Sequence, residues 1–201
     1  LCAAAMRELD DEALGWFSRR LPWGSYGMLA RASITSAHLG LALARWCRHH
    51  ALLTDDIRLH LSHEGSSARI AITQHRPLGR GDTLREMCLL STLRNLHGLA
   101  CWLIDTRLRL MQVQFPFAAP PHAGVYPLLF PGPVRFGAPQ AALEFDARHL
   151  TLPLARDEAA LQRMLQRALP LTVWQYQRDR LLVARVRQLL GSDPAMLQSA
   201  V

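Results

Sequence analysis

Phe130 to Leu154 reads FPGPVRFGAPQAALEFDARHLTLPL. Val134 with Phe136, and Leu143 with Phe145, alternate apolar and polar positions, which predicts two short strands because successive side chains point to opposite faces. Pro131, Gly132, Pro133, Gly137 and Pro139 punctuate the stretch as turns. A very apolar helical segment precedes it and two helical segments come after it.

Upstream, the segment from about Thr83 to Ile104 predicts a long helix with Asp82 or Thr83 as its cap. Leu84, Leu89, Leu93, Leu96, Ala100 and Leu103 line one side and Met87, Leu90 and Cys101 the other, so the helix should be buried on most faces. Met111, Val113 and Phe115 alternate with Gln112 and Gln114 as a strand, and the proline-rich FPFAAPPHAG leads to a short helix around Tyr126. Ile57, Leu59 and Leu61, then Ala68, Ile70 and Ile72 across Glu64-Gly65-Ser66, predict a hairpin near residues 57–75.

Closer to the start, Leu9, Ala13, Leu14 and Phe17 predict a short amphipathic helix over Arg7 to Arg20, followed by an irregular aromatic-rich connection, LPWGSYGMLARASIT. Thr35 or Ser36 should cap the next helix, whose Leu39, Leu43, Trp46 and His50 share a face.

Downstream, Asp157 to Ala168 predicts a capped helix, and after Pro170 a second helix runs from Leu171 to Leu190 and stops at Gly191. On it Leu182, Val186 and Leu189 form a short coiled-coil-like seam, the candidate dimerisation contact. Together these elements predict an α+β fold: a small mixed sheet packed with several helices and followed by a C-terminal helical connector. Residues 1–155 are expected to form the main domain and residues 156–191 the connector, with residues 192–201 opening a further domain.

The 201 residues, half of them apolar, suffice for a sizeable core. Apolar runs are interrupted short of the roughly 18 residues a membrane span needs, and no signal peptide is legible, so a soluble cytoplasmic protein is expected. The net charge is +7, yet all 23 basic residues are arginine, spread from Arg7 to Arg187 rather than gathered into a stripe. That distribution argues against direct nucleic-acid binding. Cys2, Cys47, Cys88 and Cys101 lack the close spacing of zinc or redox sites and read as small buried hydrophobes.

Arg94, His97 and Cys101 fall at i, i+3 and i+7 on the buried helix and therefore on one face. One reading makes them a polar lining for a ligand, the arginine fork suiting a carboxylate on it. The other pairs Arg94 with Asp105, Glu144 or Asp146 and His97 with a backbone carbonyl. Tyr26, Trp46, Trp102 and Trp174 are candidates for an aromatic cavity wall or for plain core. The nine histidines include no His-Glu-x-x-His pattern, and neither a Gly-x-Ser-x-Gly elbow nor a phosphate loop occurs. No metal, cofactor or catalytic group is expected.

From roughly Leu21 to Leu190, and above all in the block from Phe115 to Leu154, the chain resembles the N-terminal effector-binding domain of AraC/XylS-type transcription regulators. The resemblance rests on Tyr126, Leu129 and Phe130, on a Pro-Val-x-Phe-Gly strand (Pro133, Val134, Phe136, Gly137), on an Ala-Leu-x-Phe-Asp strand (Ala142, Leu143, Phe145, Asp146), and on Leu152-Pro153-Leu154. YGMLARASITSAHLGLALARWCRHHALL adds to it. It implies a small-molecule effector, a homodimer, and DNA reading through a helix-turn-helix domain beyond this chain. The expected effector contacts are Arg94 and His97 as polar groups with Tyr26 and Trp102 as walls, between the buried helix and the sheet.

Overall fold

The computed structural model describes residues 2–166, 176–179, 182 and 186. The chain opens with α1 (Cys2–Glu8), which is shorter and earlier than the helix expected over Arg7 to Arg20. The reason is local: Asp10 and Leu14 take positive φ (48° each), as does Gly15 at 78°. The Asp11 carboxylate accepts from the N–H groups of Ala13, Gly15 and Leu21, offering this backbone partners that a helix would otherwise supply.

The connection expected to be irregular holds a regular helix, α2 (Ser25–Ile34). Its first N–H groups are satisfied from afar: the Glu12 carboxylate accepts from Gly24 N at 2.7 Å and Tyr26 N at 2.6 Å. Helix starts are usually recognised by a neighbouring cap, and this one is twelve to fourteen residues distant in sequence. Next, α3 (Leu39–His50) is capped by His38, whose ring nitrogen accepts from Leu41 N, rather than by Thr35 or Ser36.

The hairpin forms as expected, β1 (Ile57–Glu64) pairing antiparallel with β2 (Ser67–Gln74). Then α4 (Asp82–Ile104) runs through the middle of the molecule. It is long and apolar enough to cross a membrane, contrary to the reading of interrupted apolar runs, but 72% of its apolar window is buried within the fold. Such a helix is the core helix of a folded domain. After it come β3 (Leu110–Gln114), a 3₁₀ turn, and α5 (Tyr126–Leu129). β4 (Val134–Arg135), β5 (Ala141–Asp146), a second 3₁₀ turn and α6 (Glu158–Leu165) complete the described elements, the last capped by Asp157. Pro170, Trp174, Leu189 and most of the expected second helix lie outside the described residues.

The five strands form one mixed sheet in the order β1-β2-β5-β3-β4, antiparallel except for β3 with β4. β5 is central, with Ile70 opposite Leu143 on one side and Val113 opposite Leu143 on the other. Ile70, Val113, Leu143, Phe145 and Phe115 are all at most 1% exposed, so the space between the sheet and its helices is filled. The stretch that begins at Phe130 supplies β4, β5 and their turns. Its Leu152 carbonyl accepts from Leu39 N at 3.0 Å, and Pro153 bridges His38, tying the far end of the sheet to the start of α3.

Candidate functional site

Trp16, Trp23 and Tyr26 fall within eleven residues of one another, and Trp46 and His50 lie one turn apart on the inner face of α3. The fold brings these groups together around a cavity of about 360 Å³. Its wall is completed by Phe17, Leu21, Leu29 and Leu53, by Met6 and Arg7 of α1, by Thr92 and Asn95 of α4, and by Leu165 with Gln166 at the end of α6. No strand residue contributes to the wall among the described residues. The cavity therefore lies on the helical side of α4, not between that helix and the sheet as expected, because the latter space is close-packed. Its size lies within the roughly 300–1,000 Å³ typical of small-molecule sites, and such sites are mostly apolar with a few placed polar groups.

Tyr26 packs edge-on against Trp46, with ring centroids 5.3 Å apart, and Phe17 meets His50 in the same manner at 6.2 Å. Two polar atoms of residues on this wall, the Tyr26 hydroxyl and His50 Nδ1, are buried and have no hydrogen-bond partner among the described residues. Burial pushes the Tyr26 hydroxyl well above the usual phenol range, and the charge of Glu12 adds to the effect. Burial, reinforced by the Arg58 charge, lowers His50 to about 4, so its imidazole is neutral. Burial raises the Glu12 carboxyl, against the two backbone N–H groups that it accepts. At the exposed rim, the Arg7 guanidinium lies over the Trp23 ring, 4.8 Å from its centroid.

Of the four residues expected to meet an effector, Tyr26 is on this wall and Arg94, His97 and Trp102 are not among its lining residues. Arg94 and His97 are each 3% exposed and bond to one another, Arg94 Nη1 to His97 Nδ1 at 2.7 Å. An arginine only donates, so Nδ1 must present its lone pair and the ring proton sits on Nε2. That Nε2–H donates to the Leu108 carbonyl at 2.8 Å. The Leu108 N–H in turn donates to Cys101 Sγ at 3.3 Å. Burial first, then Arg94, lowers His97 to about 4, and burial raises the Cys101 thiol to about 11. The trio is thus a neutral-imidazole clamp that fastens the turn after α4 onto the helix. The three carboxylates considered as partners of Arg94 bond other arginines: Glu144 with Arg69, Asp146 with Arg148, and Asp105 with Arg156 and Arg178.

Trp102 serves that last group. Arg156 lies over its ring at 5.5 Å, donates through Nε to the Trp102 carbonyl at 2.9 Å, and reaches Asp105 at 2.5 Å. Tyr176 and Arg178 also donate to the Asp105 carboxylate, so the left-handed C-cap of α4 gathers groups from both sides of α6. Trp16, Phe17 and His50 were not singled out for the wall in the sequence. The clustering of aromatics from Trp16 to Tyr26 was the signal available.

Residues 1–154 match the family described as the arabinose-binding, N-terminal domain of AraC transcription regulators. The chain is 26% identical over 195 residues to the ornithine utilization regulator of Pseudomonas aeruginosa, covering 96% of this chain and 57% of that protein. Its fold is similar to the crystal structure of the transcriptional regulator CdpR from Pseudomonas aeruginosa, with a TM-score of 0.52 and 18% identity over 69% of this chain and 45% of that one. The chain thus spans little more than half the length of the curated relative it matches.

Proposed function

We propose that this chain, which belongs to the family of arabinose-binding N-terminal domains of AraC transcription regulators, senses a small effector in the aromatic cavity and passes its occupancy to a DNA-reading domain. The observation that carries this reading is the presence of Leu165 and Gln166 in the cavity wall, within the segment expected to be the connector. Leu165 Cδ1 lies 3.2 Å from where a side-chain carbon on Gly27 would stand, so α6 sits tightly on α2 beside the cavity. An occupant that prefers one packing of α6 over another biases the segment beyond that helix, and only such a differential affinity can. Residues 1–155 are then the sensor, residues 156–191 the connector, and residues 192–201 the approach to the DNA-binding part. The protein acts in the cytoplasm and is not an enzyme.

In this reading Tyr26 meets the effector, whereas Arg94, His97 and Trp102 hold the far end of α4 in place. The test is a thermal-shift screen of metabolites on the chain and on Ala13→Leu, which enlarges a side chain of the wall. A true effector at a hundredfold its Kd stabilises the chain by about 2.7 kcal/mol and loses that effect in the variant. Compounds that stabilise both equally would sink the cavity assignment.

A ligand-independent dimerisation module is the second reading. Leu182 and Val186 favour it, being 53% and 45% exposed and four residues apart.

A further inference from the structure

We propose that the Asp105 carboxylate is an electrostatic latch for the chain's own residues 176–179, with Arg156 as its standing partner and Tyr176 and Arg178 as groups that dock and release together.

An aspartate at this place is costly by local rules. Asp105 ends α4 in the left-handed region, at φ 51°, where glycine or asparagine is the usual occupant. It also sets a negative charge at the negative end of a 23-residue helix, and its side chain is only 12% exposed. The donors that it gathers offset these costs. Arg156 holds it from beside α6, bonding the Trp102 carbonyl as well and lying over the Trp102 ring. Tyr176 and Arg178 donate to it from the later segment. That segment is fastened to the same turn twice more: the Arg178 carbonyl accepts from Arg107 N at 2.5 Å, and Asp179 Oδ2 lies 3.6 Å from Arg109 Nη2.

The two sets of partners differ in what else holds them. Arg156 directly precedes the cap of α6, whose Leu161 and Met164 are in the core. None of residues 176–179 is buried; the Arg178 side chain is 65% exposed, and Tyr176 packs against the core only in part. A segment held by exposed polar contacts and little apolar area opens at a free energy below that of unfolding. When it leaves, Asp105 keeps Arg156, so opening strands no unpaired buried charge. Asp179 Oδ1 also accepts from Leu182 N at 3.0 Å, so the latch passes its state to residues that follow. Finally, α4 supplies Thr92 and Asn95 to the cavity wall and ends on Asp105, which puts cavity and latch on one helix.

Amide hydrogen exchange of the chain, read by NMR, tests the latch without any ligand, so its outcome is separate from that of the metabolite screen. The reporter is Arg107 N–H, whose acceptor is on the segment, whereas the adjacent Thr106 N–H bonds the Cys101 carbonyl of α4. Arg107 should exchange roughly tenfold or more faster than Thr106, as for a local opening. Arg178→Glu, at an exposed side chain, should speed Arg107 about tenfold further, as for one charge-assisted hydrogen bond lost, and leave Thr106 and Val113 unchanged. Arg178→Lys, which keeps the charge, should fall between the parent and that variant. An Arg107 rate equal to that of Thr106 would overturn the proposal, and so would a rate unmoved by Arg178→Glu. An acceleration shared by Val113 would do the same, because Arg178 would then stabilise the whole fold rather than one docked segment.

Discussion

His50 and His97 are two imidazoles held neutral by burial, each lowered to about 4 from an ordinary value of 6.5. In the unfolded chain both take up protons near pH 6.5, while in the fold they resist until about pH 4, so the unfolded state binds more protons throughout that interval. Their contribution to stability is therefore complete above about pH 6.5 and drains away as pH falls toward 4, by on the order of 3 kcal/mol for each histidine. Urea midpoints measured across this range should fall with acidity, and His50→Gln should remove roughly half of the histidine-linked slope. A flat profile in the parent chain would mean that neither ring is buried neutral. Residue identity was only partly informative about where the site lies. Arg94, His97 and Cys101 share a helix face as their spacing dictates, and spacing identified the cluster. It could not say that the Leu108 carbonyl, from the turn beyond the helix, would close the cluster off. The cavity wall was harder still, because Trp16, Tyr26, His50 and Leu165 come from separate segments that only tertiary packing unites.

At the level of elements, the turn between α5 and β4 shows why small residues punctuate the stretch beginning at Phe130. Gly132 lies against β3 so closely that a side-chain carbon there would stand 2.6 Å from the Leu110 carbonyl oxygen. That obstacle is backbone in a paired strand and cannot turn aside as a side-chain tip would. Gly132→Ala should therefore destabilise the chain by about 1–3 kcal/mol, the usual cost of overpacking, visible as a lower urea midpoint. By contrast, Gly124→Ala, with nothing within 4 Å of the added carbon, should change little. Elements whose determinants are local were the legible ones: the β1–β2 hairpin, α4, β3, β5 and the Asp157-capped α6 all follow from alternation, periodicity or an adjacent cap. Those that failed depend on remote groups. α2 begins where Glu12 reaches across to it, and the stretch after α1 is turned by Asp11. Neither pattern repeats at a period that a sequence window detects.

For the whole molecule, the Asp105 carboxylate is a point of convergence, since Arg156, Tyr176 and Arg178 all reach it and Arg107 N donates to the Arg178 carbonyl at 2.5 Å. Just beyond, Leu182 and Val186 present apolar side chains to solvent, an arrangement that a second copy would cover. Sedimentation velocity on the chain is expected to show a dimer, and the pair Leu182→Glu and Val186→Glu to shift it to monomer. A dimer that survives both charges would place the interface elsewhere. The order of the sheet carries a different kind of consequence. Among the described strands β5 is the last to be synthesised, yet it sits between β2 and β3 and is the strand that joins them. Until residue 146 emerges from the ribosome, the nascent chain carries two open strand edges beside a long apolar helix, a combination that invites association with other chains. Cooperative closure of this domain thus waits for β5. A ribosome stalled before Ala141 would leave a species for chaperones to hold rather than a smaller folded unit.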